Sequence, residues 1–204
     1  MNRPLKILCY GDSNTWGYNP KDGSRYPADV RWPSVMADCL GKETVLYEEG
    51  LNGRTICSFL PGTSSPLNGL DHLQRIIHRY RDADLAVLSL GINDLFQSRE
   101  LTVEQIAMNI GYGTDCIREE IENVIIVSPP PVRLGRDLEF FYSIEKEKSL
   151  AFAEEYRKIA DSRDAFFIDA GAVIHACEID GVHIEGDQHI IFGSYLCGFI
   201  QENV

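Results

Sequence analysis

Ser13 lies in "GDSNTWG" (11–17), where the apolar run "ILCY" breaks into Gly-Asp-Ser-Asn-Thr. A serine in such a break can be a turn residue, part of a phosphate-gripping loop, or a nucleophile. A nucleophile needs two kinds of help. A base must take the hydroxyl proton, and N–H donors must receive the charge that develops on a substrate oxygen. The chain offers donors in two places. "GLNGRT" (50–55) contains Gly53, whose missing side chain lets its N–H come close to a substrate. "GIND" (91–94) contains Asn93, whose amide carries two N–H donors.

"DGVH" (180–183) offers the base. In a turn, side chains three residues apart can meet. Asp180 can then accept one N–H of the His183 ring and leave the other nitrogen for Ser13. Imidazole titrates near neutral pH, which suits taking a proton and returning it. "DQH" (187–189) is a competing pair, ranked second because His189 falls at the start of the last helix. His72 and His78 fall on an amphipathic stretch, and His175 has no acidic orienter beside it. Asp12 is expected to organise the turn around Ser13 rather than react. Trp16 and Phe96 flank the motifs and are candidate walls of a substrate pocket, although aromatic residues more often pack a core. Each segment alone reads as an ordinary turn.

The elements that must position these residues alternate between two periods. "KILCYG", "TVLYEEG", "DLAVLSLG", "NVIIVSPPP" and "AFFIDAG" read as five strands. "WPSVMADCLG" reads as a helix stopped by Gly41, and "LDHLQRIIHRY" puts Leu70, Leu73, Ile76, Ile77 and Tyr80 on one helical face. Thr102, three residues before Gln105, is a capping-box start for the next helix, which carries two interior glycines. "IEKEKSLAFAEEYRKIADSR" reads as one long helix, and 186–202 as the last. Strands alternating with helices predict an α/β fold: a three-layer, flavodoxin-like, doubly wound parallel sheet of order 2-1-3-4-5. In such a sheet the loops after the first three strands leave from one edge, near the switch point. Ser13, Gly53 and Asn93 are therefore expected to converge.

These segments, in this order, resemble the SGNH hydrolases, also known as GDSL esterases and lipases. "GDSNTWG" looks like their first block, "EEGLNGRT" their second, "GIND" their third and "DGVH" their last. The surrounding text, including "VRWPSVMADCLG", "VSPPP" and "DAGAVI", is most similar to the bacterial aryl-esterase and acyltransferase branch. The resemblance implies a catalytic triad of Ser13, His183 and Asp180 with no metal or cofactor. It implies an oxyanion hole of Ser13 N–H, Gly53 N–H and Asn93. It also implies a small-molecule ester substrate, acyl transfer to alcohols in some members, and a homo-oligomer. "PVRLGRDLEFFYSI" (131–144) maps onto no pattern and is expected to cover the site as a loop. A thioesterase or a carbohydrate deacetylase would use the same residues. A flavodoxin-like module binding flavin or phosphate would use only "DSNTWG" and leave Asn93, Asp180 and His183 idle.

Bulk properties bound these readings. The chain has 204 residues, 44% apolar and 25% charged, which suits one domain (1–204) with a sizeable core. A formal charge of −12 argues against nucleic acid and against anionic membrane surfaces. The six cysteines show no C-x-x-C spacing and read as reduced thiols. The N-terminal apolar run is too short for a signal peptide, and no stretch reaches membrane-spanning length. A cytoplasmic location is the expectation.

Overall fold

The computed structural model describes residues 3–57, 66–133 and 136–204. Five strands form one parallel sheet: β1 (Lys6–Gly11), β2 (Val45–Gly50), β3 (Leu85–Ser89), β4 (Asn123–Ser128) and β5 (Phe166–Asp169). Their spatial order is β2-β1-β3-β4-β5, as the alternation predicts. The register matters for function. Gly11 at the end of β1 pairs with Gly50 of β2 and with Ser89 of β3. Three strands thus stop level, and the loops after them start side by side.

Side chains alternate across the sheet, so β1 feeds two cores at once. Ile7 and Cys9 face one layer, with Trp32, Met36, Phe192, Leu196 and Ile200. That layer is α2 (Trp32–Leu40) and α8 (Gly186–Asn203). Leu8 and Tyr10 face the other, with Leu73, Ile106, Ile110, Phe152 and Tyr156. That layer is α3 (Gly69–Ile76), α5 (Val103–Arg118) and α7 (Phe152–Ser162). α5 opens on the expected capping box of Thr102 and Gln105 and runs unbroken through its glycines. No helix among the described residues is long and apolar enough to cross a membrane.

Four expectations need correction. The helix expected over 70–80 ends at Ile76 and tightens into a 3-10 turn over Ile77–Tyr80. The long helix expected over 144–163 is two, α6 (Arg136–Ser149) and α7, separated at Leu150 and Ala151. Ser149 anchors the break: its hydroxyl accepts the Val132 N–H at 2.9 Å and donates to the Lys146 carbonyl at 2.7 Å. The turn lets Phe152 and Tyr156 swing fully into the core. Most of the segment expected as a loop over 131–144 belongs to α6, whose backbone leaves helical geometry at Tyr142 (φ −128°, ψ 24°). Positions 134 and 135 of it lie outside the described residues. Finally, Cys39 of α2 and Cys197 of α8 form a disulfide, with Cα atoms 6.1 Å apart. The two helices pack on one sheet face and bring together cysteines 158 residues apart, which spacing rules cannot see. Cys9, Cys57, Cys116 and Cys177 are free thiols.

Candidate active site

β1 ends at Gly11, and the chain turns at once into the one-turn helix α1 (Ser13–Trp16). Asp12 caps it, its carboxylate accepting the Asn14 N–H at 2.9 Å. Burial pushes the Asp12 carboxyl up to about 6, against the pull of that N–H and of His183. The cap explains why aspartate precedes the serine: it fixes the turn that presents Ser13.

His183 comes from the loop before α8. Its Nε2 lies 2.9 Å from Ser13 Oγ, across 170 residues of sequence. Its Nδ1 lies 2.7 Å from Asp180 Oδ2. Asp180 Oδ1 accepts the backbone N–H groups of Val182 and His183, both at 3.0 Å. Burial alone would raise the Asp180 carboxyl. The His183 ring and the two backbone N–H groups outweigh it and hold the group below the usual carboxylate range.

The donors arrive from the neighbouring strands. Gly53 has φ 76°, in the left-handed region, where a side chain would be strained. On α4 (Ile92–Gln97), the Asn93 Nδ2 donates to the Arg54 carbonyl at 3.0 Å. An amide has two N–H bonds, so this contact orients Asn93 and leaves it a second donor. Asn93, Phe96, Tyr142, Asp180, Val182 and His183 line a groove of about 370 Å³.

Asp180, His183 and Ser13 therefore meet, and Asn93 and Phe96 line the same groove as Asp180 and His183. Trp16 does not line it; the Arg25 guanidinium lies 5.3 Å from its ring centroid. The second-ranked His189 is fully buried beside α2, its Nδ1 3.4 Å from the Trp32 N–H and its ring edge-on to Tyr26. Burial, then the charges of Arg31 and His183, push it down to about 3, so it stays a neutral helix-end partner.

Four contributors carry no signal of their own in the sequence. Asn14 brackets His183: its Nδ2 donates to Val182 O at 3.3 Å, and its Oδ1 accepts the Ile184 N–H at 3.1 Å. The Tyr18 ring lies against His183 at 4.3 Å between centroids. Arg54 is buried over the Tyr10 ring at 4.3 Å and ties the ends of β1 and β2 together. Its guanidinium donates to Gly11 O at 3.1 Å, to Glu49 O, and to Pro66 O at 3.2 Å. Tyr142 reaches the groove from the kink of α6.

A model of the GDSL-like lipase/acylhydrolase family matches residues 9–188. Est24, a carbohydrate acetylesterase from Sinorhizobium meliloti, is 29% identical with a TM-score of 0.87, covering 98% of this chain and 100% of that one. A carbohydrate acetylesterase family member from the same organism is 31% identical with a TM-score of 0.87, covering 97% of this chain and 98% of the other. The M. smegmatis aryl esterase is 29% identical with a TM-score of 0.87, covering 98% of this chain and 100% of its own. No curated protein sequence matches the chain. The family match begins within β1, ends within α8 and contains every residue of the groove; the chain belongs to the GDSL-like lipase/acylhydrolase family and is a carboxylic ester hydrolase.

Proposed function

We propose that the protein hydrolyses small carboxylic esters, aryl or short-chain acyl, through an acyl-enzyme on Ser13. The observation that carries this reading is the hydrogen-bond line from Asp180 through His183 to Ser13, 2.7 Å and 2.9 Å long. Ser13 attacks the ester carbonyl as His183 takes its proton. Asp180 fixes the ring and stabilises the imidazolium. The tetrahedral oxyanion is received by the N–H groups of Ser13 and Gly53 and by the Asn93 amide. A donor of this kind contributes roughly 3 kcal/mol to lowering the barrier. His183 returns the proton to the leaving alcohol, and water then attacks the acyl-enzyme. An alcohol in place of that water gives acyl transfer. The aromatic rings of Phe96 and Tyr142 beside His183 favour an aryl or short acyl group.

A second reading, removal of acetyl groups from carbohydrate, uses the same residues. Likeness to the S. meliloti acetylesterases favours it. Release of p-nitrophenol from p-nitrophenyl acetate by wild type and by Ser13→Ala tests the shared chemistry. Activity in the first that is lost in the second is expected, and equal activity in both overturns the reading. Acetylated sugars against aryl acetates then separate the two substrates.

A further inference from the structure

Asp94 is a buried carboxyl group that the proposed reaction leaves without a role. It follows Asn93 on α4 and is fully enclosed. Its Oδ2 accepts the Ile56 N–H at 2.9 Å, and its Oδ1 accepts the Cys57 N–H at 3.2 Å. A carboxylate taken out of water is costly unless its oxygens are satisfied. Here both oxygens face one short stretch of backbone. α4 grips the same stretch twice more: Asn93 Nδ2 donates to Arg54 O, and Gln97 Nε2 donates to Gly53 O, each at 3.0 Å. Three side chains of one short helix thus hold the backbone of Gly53, Arg54, Ile56 and Cys57.

We propose that Asp94 is a positioning residue: by accepting the Ile56 and Cys57 N–H groups it locks the Gly53 loop to α4 and sets the spacing between Gly53 N–H and the Asn93 amide. The inference rests on the proposed ester hydrolysis, in which those two groups receive the oxyanion. Ionised, the carboxylate accepts at both oxygens. Protonated, one oxygen becomes a donor and opposes an N–H. Burial pushes the Asp94 carboxyl up to about 7, against the two N–H bonds, and the Asp12 charge adds to the rise. The other titratable groups around it are the Cys57 thiol and the Tyr156 hydroxyl on α7. Burial pushes both up, so neither ionises near neutral pH. The lock is therefore complete above neutrality and loosens below it.

The test is p-nitrophenyl acetate hydrolysis by wild type, Asp94→Asn, Gln97→Ala and Ser13→Ala, from about pH 5 to about pH 9. Functional sites are counted by exhaustive labelling with a fluorophosphonate, so a folding loss does not pass for a catalytic one. Per labelled site, Asp94→Asn is expected to lose about 10- to 100-fold in kcat above neutrality, with KM within about twofold. The ratio to wild type shrinks as pH falls and the wild-type carboxyl protonates. The ratio reads Asp94 together with Asp12, whose charge is coupled to it. An unchanged kcat per site, or a ratio flat across pH, overturns the proposal. If Asp94→Asn does not fold, the exposed Gln97 decides: Gln97→Ala is expected to lower kcat several-fold at constant KM, and an unchanged kcat overturns the lock. Activity surviving in Ser13→Ala removes the ester-hydrolysis reading and the proposal with it. Activity lost in Ser13→Ala but full in Asp94→Asn removes the positioning role alone.

Discussion

Asn14 and Ile184 are joined by a 3.1 Å hydrogen bond that spans 170 residues of sequence. The residue after the serine thereby holds the residue after the histidine. With its second bond, to Val182, the Asn14 amide grips both neighbours of His183. Asn14→Ala keeps the Asp12 cap and the Ser13 turn but frees the His183 loop. It is expected to lower kcat about tenfold with little change in KM, and to cost about 1–3 kcal/mol of stability. Steady-state kinetics and denaturant unfolding of the variant check both.

Phe96 and Tyr142 meet edge-to-face across the groove, with ring centroids 5.5 Å apart and planes at 72°. The Arg99 guanidinium lies 5.8 Å from the Tyr142 ring and pairs with Glu145 at 2.9 Å. This backing keeps the ring in place where the helix kinks. Tyr142→Ala is expected to raise KM for p-nitrophenyl butyrate about fivefold or more, and for the acetate less, because the longer acyl group needs the apolar wall. Equal effects on both esters would remove Tyr142 from the acyl pocket.

The buried carboxyls give a signed dependence of stability on pH. Asp12 and Asp94 have folded-state values raised to about 6 and about 7. An unfolded aspartate titrates near about 3.9. Between those values the folded protein binds protons that the unfolded chain does not, so their contribution to stability rises as pH falls. Asp180 works the other way. Its depressed value contributes stability that is present above the unfolded value and lost as pH falls through the folded one. That loss begins below the window of the other two. Calorimetry is expected to show Tm rising from about pH 8 to about pH 5, with a flatter slope in Asp94→Asn.

The Cys39–Cys197 bridge closes a loop across 158 residues. Chain entropy assigns such a closure about 5 kcal/mol of stability. Dithiothreitol, or the paired change Cys39→Ser with Cys197→Ser, is expected to lower Tm while leaving kcat unchanged where the protein stays folded. The bridge joins α2 to α8 on the sheet face and touches no groove residue. Equal Tm with and without reductant would show that the bridge contributes nothing.

The candidate site was legible where local rules act. Ser13, Gly53 and Asn93 each follow a strand end, so a predicted parallel order places them on one edge before any side chain is seen. Asp180 and His183 are three residues apart, within reach of a single turn. What the sequence hides is set by distant partners. Nothing near Arg54 announces the carbonyls of Gly11, Glu49 and Pro66. The break after Ser149 depends on the Val132 N–H, which lies on the far side of α6 in sequence. His189 looks like a rival base until its enclosure by Trp32 and Tyr26 is visible.

The 2.9 Å contact between Ser13 and His183 has a consequence for synthesis. A ribosome delivers Ser13 170 residues ahead of His183. A nascent chain therefore carries Ser13 without this partner until the intervening residues have emerged and the His183 loop has docked against the turn after β1. Under the proposed mechanism, the onset of ester cleavage in a translation reaction would time the docking of that loop on the Ser13 turn.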